Sequence, residues 1–389
     1  MNVVPLTYGT SRSLRDTLVE HGWSPEAAAA AAGGADPLAF HLTDLDQDAL
    51  EALVHFSGKL GLEVLTGERW AIMAGSRSRL SAFARPWSAP EVLRDVAVQV
   101  GLAMPAEAPT RWRTARGDVA LDSPVIMGIV NVTPDSFSDG GKFLGLDQAR
   151  AHAAELAEAG ALVLDVGGES TRPGRHELVP EAEELRRVIP VVEALARELP
   201  DILISIDTVK ASVARAAFSA GAAIVNDVTA FRHDPALADE AARAGAGVVL
   251  MHSRGPLLEI ASYDHADYDG DVVGAVLREL SDAIGQATGR GVSAEVIVID
   301  PGLGFSKTPE QNKLVCDRLG ALLSLGRPIL VGPSRKRFVG TMIGFESDRD
   351  RATATVCALA WERGARLFRV HDVAATREAL AVARAIGGP

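Results

Sequence analysis

The stretch PVIMGIVNVTPDSFSDGG, residues 124–141, decides how the chain is read. It opens with an apolar run, 125–130, of the length expected for a strand buried on both faces. At Asn131 the run stops, and a polar loop follows with Thr133, Pro134, Asp135, Ser136, Ser138, Asp139 and two glycines. Helical apolar spacing resumes from Leu146. A buried strand that opens into a long polar loop and then a helix is the unit from which a β/α barrel builds its active face.

Toward the C-terminus the same layout recurs. Strand patterns are expected at 125–131, 163–168, 202–208, 224–228, 248–253, 296–302, 329–334 and 367–373. Helical patterns lie between them, for example at 180–199, 210–220, 238–244, 272–288 and 350–363. Eight strands, each followed by a helix, close into a parallel barrel. A doubly wound open sheet is the alternative, but no G-x-G-x-x-G follows the first strand, where a dinucleotide fold carries it.

Toward the N-terminus the pattern differs. Helices are expected at 14–21, 46–60 (with Asp46 as cap), 76–83 and 89–100, strands at 38–42, 62–65 and 70–73, and the alanine tract 27–34, ending in two glycines, reads as a helix end or a linker. The chain therefore reads as an α/β protein: a (β/α)8 barrel over 116–389, preceded by a small α+β domain over 1–115. That leading part shows no catalytic constellation, and Arg77, Arg85 and Arg111 read as a solvated face.

At 47% hydrophobic and 23% charged, the 389 residues can bury a large core. A net charge of -12 argues against nucleic acid as a partner, because binding its backbone needs a basic surface. The two cysteines, Cys316 and Cys357, match no metal or redox spacing and read as small core residues in a reducing compartment. No basic segment followed by an apolar run opens the chain, and no run is long enough to span a bilayer. A soluble, cytoplasmic protein without a membrane partner is expected.

A parallel strand buried on both faces should be apolar throughout. The informative residues are the polar ones at the strand ends: Asn131, Asp165, Asp207, Asn226, Asp300, Lys336, Arg369 and His371. In VIVIDPGLGF, Val296, Val298 and Asp300 share one side of the strand. A half-buried carboxylate there offers two acceptor oxygens to a planar, donor-rich ring. Asp207 (in ISIDT) and Asn226 (in IVNDV) add an acceptor and a mixed donor/acceptor, although Asp207 could equally cap the helix beginning near Lys210. Lys336, in VGPSRKRF, offers a donor to a ring carbonyl. Arg369 and His371, in LFRVHDV, point the same way and, opposite Asn131, suggest an anion site with room for a divalent cation. Arg369 could instead pair with a barrel carboxylate. GGESTRPG carries Thr171 and Arg172 at the tip of a glycine-bearing loop, a layout suited to a lid. No Ser/His/Asp or Cys/His arrangement is present in this set.

Taken together, NVTPDSFSDGG, DVGGESTRPG, SIDT, NDV, VLMHSRG, DPGLGFSKT, GPSRK and RVHDV resemble, in order and spacing, the motifs of the dihydropteroate synthase family over residues 124–386. The resemblance implies joining p-aminobenzoate to 6-hydroxymethyl-7,8-dihydropterin diphosphate, with Mg²⁺, to give 7,8-dihydropteroate in folate synthesis. It implies Asp207, Asn226, Asp300, Lys336 and Arg369 as the pterin set. Asn131 would be the metal and diphosphate residue, with Arg369 and His371 as diphosphate anchors; Asn131, Lys336, Arg369 and His371 form the catalytic group. Thr171 and Arg172 would close over p-aminobenzoate, with Phe305 as its apolar wall. Where many members carry a serine that contacts p-aminobenzoate, this chain has Arg337, which bears on that pocket and on sulfonamide affinity. Members are commonly homodimers, so a homodimer is expected, and many lack residues 1 to about 115. Two other readings are a pterin-binding methyltransferase barrel and a catalytically silent pterin-binding paralogue. The first would not need the diphosphate apparatus of NVTPDSFSDGG and RVHDV, and no motif residue is missing in a way that requires the second.

Overall fold

The computed structural model describes residues 2–6, 14–32, 37–84, 89–104, 109–132, 142–169, 177–344 and 347–387. The chain divides into two compact units, 1–107 with 318–326, and 108–317 with 327–389.

The first unit is built on a sheet of β1 (Asn2–Pro5), β2 (Pro37–Thr43), β3 (Glu63–Thr66) and β4 (Trp70–Ser76), in the order β1-β2-β4-β3 and antiparallel throughout. Strand alternation gives it two apolar faces. Phe40, Leu42, Ala71 and Met73 join one cluster with Leu53, Phe83 and Leu93, while Ala39, Ile72 and Ala74 join another with Leu18 and Trp23. The helix Gln47–Lys59 starts where expected, with the Asp46 carboxylate accepting from the Ala49 N–H at 2.8 Å.

The second unit opens with a hairpin, β5 (Arg111–Thr114) and β6 (Gly117–Ala120). Eight strands follow: β7 (Val125–Asn131), β8 (Val163–Gly167), β9 (Leu203–Asp207), β10 (Ile224–Asp227), β11 (Gly247–Met251), β12 (Ile297–Asp300), β13 (Ile329–Val331) and β14 (Ala365–Val370). All pair in parallel, in chain order, and β14 pairs with β7 to close the barrel. The fold is the expected (β/α)8 barrel, preceded along the chain by a small α+β region. Several strands end short: those expected to reach 253, 302 and 334 stop at Met251, Asp300 and Val331. There the chain leaves the ladder so that its polar residues can line the mouth.

Inward-facing positions explain how the barrel becomes a site. Val125, Met127, Val163, Ile224, Val249, Val298, Leu330 and Leu367 form one buried apolar cluster. Two residues further along the same sides of their strands stand Asp165, Asn226, Asp300 and Arg369. The barrel thus has an apolar floor and a polar mouth, the latter at the strand C-termini.

Trp112 of the hairpin closes the floor. It is fully buried in that cluster, and its indole N–H donates to the Val296 carbonyl at 2.8 Å. Gly247 leaves it room, since a Cβ there would stand 2.8 Å from the indole Cζ2. The boundary expected at 115/116 lies inside this hairpin. Trp112→Ala is expected to lower stability by about 3–5 kcal/mol, through a large cavity and an unpaired carbonyl. Urea unfolding measures it, and a loss below about 1 kcal/mol would contradict the plug.

Candidate active site

The mouth is organised around Asp165, a fully buried carboxylate of β8. One oxygen accepts from Ser205 Oγ at 2.5 Å; the other accepts from Asn226 Nδ2 at 3.0 Å and Arg369 Nε at 2.6 Å. Arg369 Nη2 donates to Asp207 at 2.6 Å. One network therefore spans β8, β9, β10 and β14 and brings Asp207, Asn226 and Arg369 together. Of the two readings left open for Arg369, pairing with barrel carboxylates is what this structure shows. Its Nη1 has no partner among the described residues. Nor does Asp207 cap the next helix, Ala211–Ser219, whose first N–H goes to Asp234 instead.

Four strands round the barrel, on the opposite wall, Asp300 ends β12 with one oxygen accepting from the Gly302 N–H at 2.7 Å. Lys336 lies beyond β13, its ammonium 3.5 Å from the centre of the Phe305 ring. Burial pushes the Asp300 carboxyl up to about 6, against the Gly302 N–H and the charges of Lys336, Lys307 and Arg369. Burial and the Arg369 guanidinium bring Lys336 down to about 7, against Asp300 and Asp207. Burial raises Asp207 against the pull of Arg369, with the neighbouring Asp165 carboxylate adding to the rise. These groups, from β9, β12, β13 and β14, titrate in one another's field. Their charges are desolvated and only partly compensated by one another, as is common at functional sites.

His371 follows β14. Ser334 Oγ accepts from the His371 backbone N–H at 3.1 Å and lies 2.9 Å from the ring Nδ1, to which its own O–H donates, so Nε2 carries the ring proton. Burial, with the Arg335 and Arg369 charges, lowers the imidazole to about 3, so it stays neutral. Asn131 ends β7, half-buried, beside Gly167. Phe305 is buried with Val209, Val228, Met251 and Ile260, an apolar wall. Arg337 is exposed and stacks on Tyr263, 4.1 Å from the ring centre. Thr171, Arg172 and the 133–141 loop lie outside the described residues.

Among the described residues, no group of three His, Cys, Asp or Glu is placed to hold a metal, and no helix is long and apolar enough to cross a membrane. Three partners escaped sequence reasoning. Ser205 had a signal, because alternation in LISID puts it on the side of Asp207. Ser334 and Lys307 had none, since nothing in GPSRK or FSKT distinguishes them from surface residues.

Residues 127–371, from β7 to His371, match the family described as pterin binding enzyme; residues 1–126 lie outside that match. The dihydropteroate synthase of Mycobacterium leprae is 46% identical over 264 residues, 66% of this chain and 91% of that one. That of Bacillus subtilis is 44% identical over 254 residues, 65% of this chain and 85% of that one. Among solved structures, the Xanthomonas albilineans dihydropteroate synthase with 4-aminobenzoic acid superposes with a TM-score of 0.66 at 46% identity, covering 72% of this chain and 99% of that one. The same organism's enzyme in complex with 7,8-dihydropteroate gives a TM-score of 0.64 at 44% identity, with 72% and 99% covered. In sequence and in barrel topology, the chain belongs to the pterin-binding enzyme family, alongside the dihydropteroate synthases.

Proposed function

We infer that this protein is a dihydropteroate synthase, a transferase that joins 6-hydroxymethyl-7,8-dihydropterin diphosphate to p-aminobenzoate and releases diphosphate. The observation that carries the reading is the ring of Asn226, Asp300, Lys336 and Arg369 at one barrel mouth, above an apolar floor. A pterin is flat, with N–H donors along one edge and a ring carbonyl on another. Asp300 offers oxygens to the donors, Asn226 and Asp207 supply further polar contacts, and Lys336 donates to the carbonyl. Arg369 Nη1 and the second ring nitrogen of His371 are the donors left for the diphosphate.

The chemistry needs placement and charge neutralisation more than a base. The pterin methylene C–O bond breaks, with its electron pair leaving on the diphosphate. The neutral arylamine attacks the methylene carbon and then loses a proton to solvent. Arg369 and His371 hold the leaving group, while the Phe305 wall aligns the amine. Thr171, Arg172 and Arg337 complete the aminobenzoate side in this reading.

Mg²⁺ is the implied metal. The Asn131 amide oxygen is a hard donor on the half-buried rim, and Mg²⁺ commonly takes few protein ligands beside phosphate oxygens and waters. The residues therefore fit a Mg²⁺ that Asn131 would hold, with Asp135 and Asp139 nearby in sequence. When bound, the ion neutralises charge developing on the leaving group. We also place the protein in the cytoplasm as a homodimer open to sulfonamide competition.

A coupled diphosphate-release assay tests the reaction. Release is expected only with both substrates and Mg²⁺ present. Release independent of p-aminobenzoate, or none with both substrates, would remove the reading.

A further inference from the structure

Lys307 follows the turn that joins Asp300 to Phe305, and it is fully buried. Its ammonium meets three acceptors: His252 Nδ1 at 2.9 Å, and the carbonyls of Gly302 and Phe305 at 3.2 Å each. Three N–H donors meet three acceptors, as an ammonium requires, and none of the three is a carboxylate. Holding a lysine this way is expensive, and the chemistry above makes no use of it.

The contact continues outward, toward the surface. Burial brings Lys307 down to about 7; below that it is an ammonium and only donates, so His252 Nδ1 accepts and its Nε2 carries the proton to Glu279 at 3.0 Å. Glu279 also holds Arg254 in an ion pair. Burial lowers His252 to about 4, so a neutral imidazole links the ammonium to the Glu279 carboxylate.

The turn that Lys307 holds is tight. Gly302, Gly304 and Ser306 have φ of +68°, +80° and +46°, and a Cβ at Gly302 would stand 1.9 Å from the His252 carbonyl oxygen. Glycine takes such φ without strain, so Ser306 is the strained residue here, and its left-handed backbone persists only where the surroundings fix it. Lys307 binds the turn at both ends, at Gly302 and at Phe305.

We propose that Lys307 is a positioning residue for pterin recognition: its buried ammonium fixes the 302–305 turn, and with it the direction of the Asp300 carboxylate and the Phe305 ring. The proposal rests on Asp300 being the pterin-edge acceptor. It has an electrostatic consequence. The groups facing Asp300 are Lys336, Lys307, Arg369 and the Gly302 N–H; those facing Lys307 are Asp300, Glu279, Arg254 and His252. Without the Lys307 charge, Asp300 keeps its proton to higher pH.

The test is calorimetric affinity for the pterin diphosphate between pH 5 and 9, with steady-state kcat and KM beside it. The variants are Lys307→Met, His252→Leu and His252→Asn, with Asp300→Asn as reference. Lys307→Met is expected to bind at least about 10-fold more weakly, as a misplaced recognition group does, and to move the acid limb of the affinity profile upward. His252→Leu should share part of both effects. His252→Asn, which keeps an acceptor near the Nδ1 position, should stay close to wild type. Wild-type affinity and acid limb in Lys307→Met, while Asp300→Asn loses binding, overturn the proposal alone. Undiminished binding by Asp300→Asn overturns the pterin assignment beneath it. If Lys307→Met does not fold, indistinguishable profiles for the two His252 variants overturn the proposal, and a loss confined to His252→Leu supports it.

Discussion

Arg369→Met is expected to reduce diphosphate release about 10²–10³-fold, as loss of a donor to developing negative charge does, and to destabilise the fold as well. Both effects come from one geometry. Arg369 bridges the fully buried Asp165 and the mostly buried Asp207. Removing it leaves two carboxylates without their shared cation, a change that costs about 3–5 kcal/mol when the pair is buried. The double variant Arg369→Met/Asp207→Asn removes one stranded charge and should recover part of the stability, but no turnover. Urea unfolding and single-turnover release measure the two quantities separately. Restored turnover in the double variant would make Arg369 a counter-ion and nothing more. Binding offers a further check: a diphosphate-free pterin should lose far less affinity than the diphosphate, and equal losses would count against the anchoring role.

Asp300→Asn is expected to lose pterin affinity by at least about 100-fold, since hydrogen bonds to a charged acceptor are worth about 1.5–3 kcal/mol each. The same change should make the unliganded protein more stable at pH 8. Because burial holds the Asp300 carboxyl at about 6, above its ordinary 3.8, the folded chain binds that proton more tightly than the unfolded chain does. The contribution of this group is thus favourable at low pH and is lost as pH rises through about 6. Above that, the ionised carboxylate costs up to about 3 kcal/mol, less whatever Lys336, Lys307 and Arg369 lose with their counter-charge. Asparagine keeps an oxygen for the Gly302 N–H and carries no charge. Wild type and variant should therefore converge in stability near pH 4 and separate by pH 8, with the variant higher. A variant less stable at pH 8 would contradict the account of a carboxylate held under cost for its ligand.

The barrel was legible because strands buried on both faces are short, wholly apolar runs that cannot be mistaken for solvated segments. Their ends were less so: Ser253 and Ser334 continue the pattern by eye, yet the ladder releases them to bond to the ends of the neighbouring strands. The hairpin went unseen. Its strand RWRT carries charges at alternate positions and GDVA is too short and mixed for a pattern, and Trp112 reveals its role only once a barrel floor exists to receive it. β1 is only four residues long and ends in proline, too little for a pattern.

The site divides the same way. Strand-end residues could be singled out because a buried parallel strand tolerates few polar side chains. Their partners could not. Arg369 meets Asp165 and Asp207 across 204 and 162 residues of chain, and only barrel closure decides that pairing. Arg369 was expected to point at an anion; in this structure it holds two carboxylates, and only Nη1 remains. Lys307 lies furthest from what a sequence can disclose, since its burial depends on a turn folding back over His252.

Diffraction from a crystal soaked with a non-hydrolysable pterin diphosphate analogue tests the central claim most directly. The ring should lie at the barrel mouth, with its donor edge on Asp300, its other edge within reach of Asn226 and Lys336, and its phosphates toward Arg369 and His371. A ring bound away from Asp300 and Lys336, or phosphates held by neither Arg369 nor His371, would contradict it.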